Sequence, residues 1–308
     1  MLQIRNISLT FDRPILRNLN LSVKRGELLG LVGKSGAGKS SLLKIMAGML
    51  SPINGKISWN EQEMPLANDL LIPGYKNISI VNQDFKLDSY HTTEENIREA
   101  ILGLPYAKRE RRIKELIQLF QLQKVSQTKA ALLSGGEKQR LAIARAIAHA
   151  PDVLLLDEPF GHLDTVLKIK LSEVILKLKQ IENLAIVLVS HDPQDILGLC
   201  DHVTFLRNGK LSKKRKPDEI YYQLVNKEIA LLFGPVNTYN SASEVLHFRP
   251  DEFEISKKEG IPVTFSHSLF FGGFYQSYMK SGEDNFILYA SRPLIDIRFI
   301  TIKRKLTV

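Results

Sequence analysis

Residues 33–40 hold the residue types with the clearest chemical capacity, because glycine, lysine and serine stand there at the spacing G-x-x-x-x-G-K-S. The apolar run 28–32 precedes this turn, and a helix-like stretch begins at Ser40. Glycines let the backbone curl so that successive N–H groups point inward, and such amides at a helix N-terminus bind phosphate oxygens. Lys39 has the reach for the β- and γ-phosphates of a nucleotide, and the hydroxyl of Ser40 suits Mg²⁺. The spacing therefore predicts a phosphate-binding loop.

Two carboxylates, Asp157 and Glu158, end a second apolar run at residues 153–156. A run that is apolar at every position is typical of a central parallel strand, and open α/β sheets bind ligands beyond the carboxyl ends of such strands. Beside a phosphate loop, an aspartate here holds Mg²⁺ through water, and a following glutamate orients or deprotonates the attacking water. The phosphate loop disfavours the alternative, a pair of helix N-cap residues.

Three further features have an ordinary structural interpretation beside a functional one. His191 follows the apolar run 184–189, where a histidine either donates to a γ-phosphate or is a satisfied structural residue. Residues 134–136, Ser-Gly-Gly, begin a helix and form either a second phosphate site or an ordinary N-cap. Phe11, at a strand end, either belongs to the core or stacks on a nucleotide.

The elements that position these residues follow from periodicity. Near-alternating runs at residues 2–11 and 15–23 predict an antiparallel layer ahead of the phosphate loop. Apolar strands separated by helical stretches predict a parallel sheet with right-handed crossovers. Residues 93–150 read as mainly helical, and beyond Gly234-Pro235 short β-like runs predict a small all-β barrel.

Composition argues against a disulfide-stabilised, a secreted or a membrane-spanning protein. The chain has 308 residues with 44% hydrophobic content, which suffices for a sizeable core. Its single cysteine, Cys200, allows no internal disulfide, so a reducing compartment is expected. The sequence has neither a signal-peptide pattern at Met1 nor an apolar run of membrane-spanning length. The formal charge of +9 fits anionic lipid or nucleic acid, but is more often a solvated surface.

Taken in this order, the motifs resemble those of the ATP-binding subunit of an ABC transporter. The resemblance covers residues 1 to about 233. Residues 33–40 resemble the Walker A loop, Gln83 the Q-loop glutamine, 133–137 the LSGG signature, 153–158 the Walker B strand, 161–164 the D-loop and His191 the switch histidine.

This resemblance implies ATP and Mg²⁺ as ligands and assigns a role to each site residue. ATP would lie between two cassettes arranged head to tail. One cassette would contribute Phe11, Gly33, Lys34, Ser35, Gly36, Ala37, Gly38, Lys39, Ser40 and Ser41, and the other Ser134, Gly135 and Gly136. Asp164 of the D-loop is also expected to bind the nucleotide. Ser40, Gln83 and Asp157 would arrange Mg²⁺, and Glu158, His191, Lys39 and Gln83 would act in hydrolysis.

The implied fold is an α/β P-loop NTPase cassette with an antiparallel β layer and a helical subdomain at about 84–145. A small all-β, OB-like domain follows the cassette. Its motifs, at residues 217–221, 233–237, 248–251 and 271–273, resemble the TOBE domain of importer ATPases, here in a form that is shorter than in many members. The expected domains are therefore 1–233 and 234–308.

For the whole protein, the resemblance implies an ATPase that energises uptake of a solute such as a sugar, polyamine, iron or oxyanion. Its partners would be a second cassette, most simply an identical copy, two transmembrane permease subunits and, indirectly, a solute-binding protein. It would be peripheral, at the cytoplasmic face of the inner membrane, with no nucleic acid partner. The alternatives are an exporter cassette, a nucleotide-binding regulator without hydrolysis, and a soluble ABC-type ATPase that acts on nucleic acid or ribosomes through its basic surface and tail.

Overall fold

A computed structural model describes residues 1–161, 163–223, 227–241 and 244–303. The chain forms two compact units, Met1–Arg215 and Lys216–Val308. The boundary expected after residue 233 lies within the second unit. The division into a cassette and a TOBE-like domain at that residue remains a prediction. His162 of the expected D-loop lies outside the described residues.

The first unit is built from strands and helices in the alternation that the sequence predicts. In chain order they are β1 (Leu2–Thr10), β2 (Pro14–Val23), β3 (Leu28–Val32), α1 (Lys39–Met46), β4 (Asn54–Trp59), β5 (Gln62–Met64), β6 (Ile78–Val81), α2 (Thr93–Glu99), α3 (Tyr106–Leu119), α4 (Gly135–Ile147), β7 (Val153–Asp157), α5 (Thr165–Ile181), β8 (Ala185–Val189), α6 (Pro193–Leu199), β9 (His202–Arg207) and β10 (Lys210–Leu211), with 3-10 turns at Ala67–Asp69, Gln123–Val125 and Ala130–Leu132.

A six-stranded sheet in the order β10-β9-β3-β8-β7-β6 forms the centre of this unit. All of its strands are parallel except the edge strand β10. Every residue of β3, β7 and β8 is buried, as expected for aliphatic strands covered on both faces. Val189, which ends β8, lies beside Leu31 of β3 and Asp157 of β7, so the carboxyl ends of three strands meet.

The predicted antiparallel layer is a four-stranded sheet in the order β2-β1-β4-β5. Leu2 and Ile4 of β1 point to its buried face, and one apolar core joins this layer to the face of the parallel sheet that α1 covers. The layer therefore supports the turn that joins β3 to α1.

Helices α2, α3 and α4 follow β6 and precede β7 in the chain, within residues 93–150, which were predicted to be mainly helical. Capping boxes fix two of their starts: Thr92 with Glu95 begins α2, and Ser134 with Glu137 begins α4. Among the described helices, none has both the length and the apolarity to cross a bilayer.

The second unit begins with two short helices and continues as β-structure. Its elements are α7 (Pro217–Tyr222), α8 (Lys227–Leu232), β11 (Asn237–Asn240), β12 (Val245–Phe248), β13 (Phe253–Ser256), β14 (Ile261–Pro262), β15 (Thr264–Phe270), β16 (Tyr275–Ser281), β17 (Asp284–Ala290) and β18 (Phe299–Ile302). The strands pair as three small antiparallel sheets around one apolar core.

A fully buried arginine, Arg249, joins the two short helices to the β-structure. Its Nε donates to the carbonyl of Tyr221 at 2.9 Å, and its Nη1 donates to those of Gly234 and Pro235 at 2.9 and 3.1 Å. Nη2 donates to the carbonyl of Ala230 at 3.1 Å, and the guanidinium lies 4.1 Å from the ring centroid of Tyr221. Burial lowers the pKa of Arg249. One cation thus satisfies four backbone carbonyls that have left water.

We expect Arg249→Met to destabilise the second unit by about 3 kcal/mol or more, because methionine fills the space but leaves buried carbonyls without donors. Hydrogen-exchange mass spectrometry of the full chain should show faster exchange in residues 216–303 and unchanged exchange in β3. Arg298→Met, at an exposed arginine of the same unit, is the matched control. Equal protection in the two variants would refute this role for Arg249.

Candidate active site

The turn between β3 and α1 has the backbone shape that its glycines allow. Gly36 and Gly38 have φ of 75° and 101°, in the left-handed region that favours glycine. At Gly33, a Cβ would lie 2.6 Å from the carbonyl oxygen of Leu206, so no larger residue fits without movement. Gly38 caps α1 and brings no side chain, which leaves the first amides of the helix available to an anion.

Lys39, at the start of α1, is nearly buried and bonds to the turn itself. Its Nζ donates to the carbonyls of Gly33 and Lys34 at 2.8 and 3.2 Å. Burial lowers the pKa of Lys39, and the carboxylates of Glu158 and Asp157 act in the opposite direction. The ammonium is therefore held within the loop that it would share with a phosphate.

Asp157 ends β7 as a buried carboxylate, only 5% exposed. Burial raises its pKa, whereas a hydrogen bond from the Ser40 hydroxyl lowers it. Both side chains line a cleft together with Gln83. A hydroxyl, a carboxylate and an amide oxygen are hard donors of the kind that Mg²⁺ prefers, so this set of residues fits that ion.

Glu158 and His191 are joined at the ends of β7 and β8. Oε2 of Glu158 accepts from the backbone N–H of His191 at 3.0 Å and lies 2.5 Å from Nδ1 of its ring. A carboxylate oxygen only accepts, so Nδ1 carries the proton of this contact. Within the described residues no hydrogen bond reaches Oε1 of Glu158, so this oxygen remains available to water. Glu158 also has φ of 56°, a strained conformation for a residue with a side chain.

The loop after β6 carries Gln83 into the same cleft. Phe85 and Lys86, which follow it, have φ of 57° and 47°, so two successive non-glycine residues adopt left-handed backbone. Arg145 of α4 donates to the carbonyl of Lys86 at 2.5 Å and fixes this strained segment to the helical block. Gln83 is therefore placed by a loop that α4 holds.

These residues surround one cleft of about 520 Å³. Phe11 lies at its rim with 60% of its surface exposed, a position from which an aromatic ring can stack on a base. The cleft is lined by Phe11, Ile15, Gly33, Ser35, Gly36, Gly38, Lys39, Ser40, Ser41, Gln83, Asp157, Glu158 and His191.

Two predicted residues, Lys34 and Ala37, belong to the phosphate loop but do not line the cleft, and the remaining four predicted residues do not line it either. Ser134 and Asp164 cap α4 and α5, where their side chains accept from the amides of Glu137 and Leu167. Gly135 is exposed, whereas Gly136 is buried, with its Cβ position 3.0 Å from a methyl carbon of Leu163. Within one chain these four residues therefore do not line the cleft.

The residues that hold segment 190–195, which carries His191, were not predicted from the sequence. Ser190 donates from Oγ to Asp195 at 2.9 Å and accepts from the amide of Asp192 at 3.0 Å. Lys168 of α5 lies 3.3 Å from Oδ2 of Asp192 and 3.4 Å from Oδ1 of Asp195. Burial raises the pKa of Asp195, and the hydrogen bond from Ser190 opposes that shift. No sequence motif marks Lys168 as a partner of Asp192 and Asp195, because it lies more than twenty residues before them on a helix that has several other lysines.

We expect Lys168→Met to lower kcat about tenfold while KM for MgATP changes less than about threefold, because the segment that carries His191 loses its link to α5. Steady-state phosphate release measures both constants. Lys170→Met, at an exposed lysine on the same helix, is the control. A change in KM with unchanged kcat would contradict a positioning role for Lys168.

Comparison with known proteins identifies what this architecture is similar to. The family model described as ABC transporter matches residues 16–161. A sulfate/thiosulfate import ATP-binding protein of Synechocystis is 34% identical over 82% of this chain and 76% of its own length. An Fe(3+) ions import ATP-binding protein of Fusobacterium nucleatum is 29% identical over 91% of this chain and 84% of its own length.

A solved structure with the same fold is a dimeric ATP-binding cassette in a post-hydrolysis state, bound to ADP and Pi. It has a TM-score of 0.63 and 27% identity, and the match covers 70% of this chain and 99% of that one. The P-loop cassette fold predicted from the motifs is thereby confirmed.

Proposed function

This chain belongs to the ABC transporter family, and we propose that its cleft hydrolyses ATP between two copies of the cassette to energise solute uptake through membrane permeases. Its resemblance to ATP-binding subunits of the import class is confirmed by relatives whose names describe import of iron and of sulfate or thiosulfate. The chain is therefore an ATPase of that class.

One observation supports the assignment of the cleft above all others. The phosphate loop, Gln83, Asp157, Glu158 and His191 come from four separate segments of the chain and line one cleft. Hydrolysis needs a phosphate cradle, an oxygen-rich cation site and an acceptor for the proton of the attacking water, and these segments supply all three.

We assign the roles from this geometry. The amides at the start of α1 bind the β- and γ-phosphates, Lys39 exchanges its loop carbonyls for phosphate oxygens, and Phe11 stacks on the base. Ser40, Gln83 and Asp157 would hold Mg²⁺, which neutralises phosphate charge when bound. Oε1 of Glu158 accepts a hydrogen bond from the attacking water, while Oε2 holds His191 at the end of β8, beside the expected position of the γ-phosphate.

The second cassette completes the site in this proposal. Ser134 and Gly135 lie at a helix N-terminus outside the cleft of their own chain, and such a terminus binds phosphate. In a two-fold dimer, each copy would present this terminus to the nucleotide of the other. The 234–308 segment would be a TOBE-like, OB-type domain, and the protein would sit at the cytoplasmic face of the inner membrane on two permease subunits.

Glu158→Gln should retain MgATP binding and lose hydrolysis by about 100-fold or more, because glutamine keeps the shape but cannot take the proton of water. Nucleotide affinity and phosphate release are measured on the same preparation. Glu173→Gln, at an exposed glutamate of α5, controls for the charge change. Hydrolysis at the wild-type rate by Glu158→Gln would refute the role of Glu158.

The same variant tests the transport partners. With MgATP present, tagged Glu158→Gln protein recovered from detergent-solubilised cells should bring polytopic membrane proteins with it. Recovery of ribosomes or nucleic acid without membrane proteins would instead support the alternative of a soluble ATPase.

Mixed dimers test the shared site. Ser134→Asp keeps a good N-cap residue but places a negative charge at the phosphate, and Lys39→Ala disables the loop. Each variant alone should be inactive. Their mixture should recover about a quarter of the wild-type rate, since half of the dimers would hold one intact site. No recovery, with mixed dimers verified by two tags, would refute the head-to-tail arrangement.

A further inference from the structure

Three side chains beside the segment that carries Gln83 converge without forming a hydrogen bond to one another. His91 Nδ1 lies 3.8 Å from Asp88 Oδ2 and 3.6 Å from Glu99 Oε1. The three ligand-type atoms all lie within 4.8 Å of one another. His91 Nδ1 is buried and has no hydrogen-bond partner among the described residues, an unusual state for a polar atom.

We propose that Asp88, His91 and Glu99 form a binding site for a divalent first-row transition metal ion such as Zn²⁺. Ligand atoms at about 2.0–2.1 Å from a tetrahedral zinc ion lie about 3.4 Å apart, so small side-chain rotations bring these three into range. An imidazole nitrogen with two carboxylate oxygens suits such an ion better than Mg²⁺, which prefers oxygen alone. The proposal does not depend on the ATPase function.

Hydrogen bonds within the protein hold the backbone around the cluster. Asn96 of α2 is fully buried and accepts from the amide of Asp88 at 2.9 Å. Its Nδ2 donates to the carbonyls of Asp88, His91 and Thr92 at 3.0 to 3.3 Å. The segment that carries Asp88 and His91 is therefore attached to the helix that carries Glu99, which lowers the entropy cost of binding.

Each carboxylate has one oxygen held and one oxygen open. Oδ1 of Asp88 accepts from the amides of Tyr90 and His91 at 2.9 and 3.3 Å, which leaves Oδ2 for an ion. Oε2 of Glu99 lies 3.6 Å from the guanidinium of Arg145, which leaves Oε1. Partners of this kind orient the ligands of a metal site. The three side chains are 38 to 39% exposed, so an ion has a path from solvent.

The proposed metal site is connected through Arg145 to the loop that carries Gln83. Arg145, which neighbours Glu99, also donates to the carbonyl of Lys86 in the strained loop after Gln83. An ion bound at Oε1 of Glu99 would neutralise charge on this carboxylate and weaken its attraction for Arg145 at Oε2, which would alter how firmly the loop is held. The site is thus placed to modulate the position of Gln83.

The experiment uses the full chain, freed of metal by a chelator and kept in excess MgADP so that the nucleotide cleft is occupied. Titration with Zn²⁺ by calorimetry and with Co²⁺ by visible absorption should reveal one saturable site per chain. Asp88→Asn, which keeps Oδ1 as an acceptor, and His91→Gln and Glu99→Gln should each weaken binding about tenfold or more.

His267→Gln, at an exposed histidine of the second unit, is the matched control and should bind as the wild type does. Thermal unfolding gives a second readout, because Zn²⁺ should raise the Tm of the wild type and of His267→Gln but not of Asp88→Asn. Absence of saturable binding to the wild type, or wild-type affinity in all three ligand variants, would overturn the proposal and leave the cluster as an ion-pair network.

Discussion

The structure depends on one geometric constraint, the convergence of the carboxyl ends of β3, β7 and β8 at a single edge of the parallel sheet. Parallel strands expose their last carbonyls and the following residues on one side, and here these strands are buried over their whole length. The apolar core thus fixes three polar segments at the same place. Phosphate binding, cation binding and water activation need such groups within a few ångströms of one another.

Burial also adjusts the charges at this edge. The same desolvation raises the pKa of Asp157 and lowers that of Lys39, so both charged forms are less stable than in water until a ligand arrives. Glu158 differs because His191 satisfies one of its oxygens and leaves the other open. The site is therefore organised for an anion and a cation together rather than for either alone.

The sequence predicted the cassette well because its signals are local. A glycine-rich turn between strand and helix, and aliphatic runs that end on acids, have few structural alternatives. The network of Lys168, Asp195 and Ser190 was beyond prediction, since it joins residues far apart in sequence through side chains with no distinctive pattern. The same is true of Arg249, whose four acceptors are backbone carbonyls, and of the approach of Glu99 to His91.

The state of Lys39 sets the energetic character of nucleotide binding. Its ammonium already holds two hydrogen bonds to the loop carbonyls of Gly33 and Lys34. In the role proposed for Lys39, binding a phosphate would exchange these bonds for others, and the net gain would be the difference between charge-assisted bonds to phosphate and those to neutral carbonyls. Any preference for a nucleoside triphosphate over a diphosphate would then depend on the further contacts that the γ-phosphate makes, in addition to this exchange of hydrogen bonds.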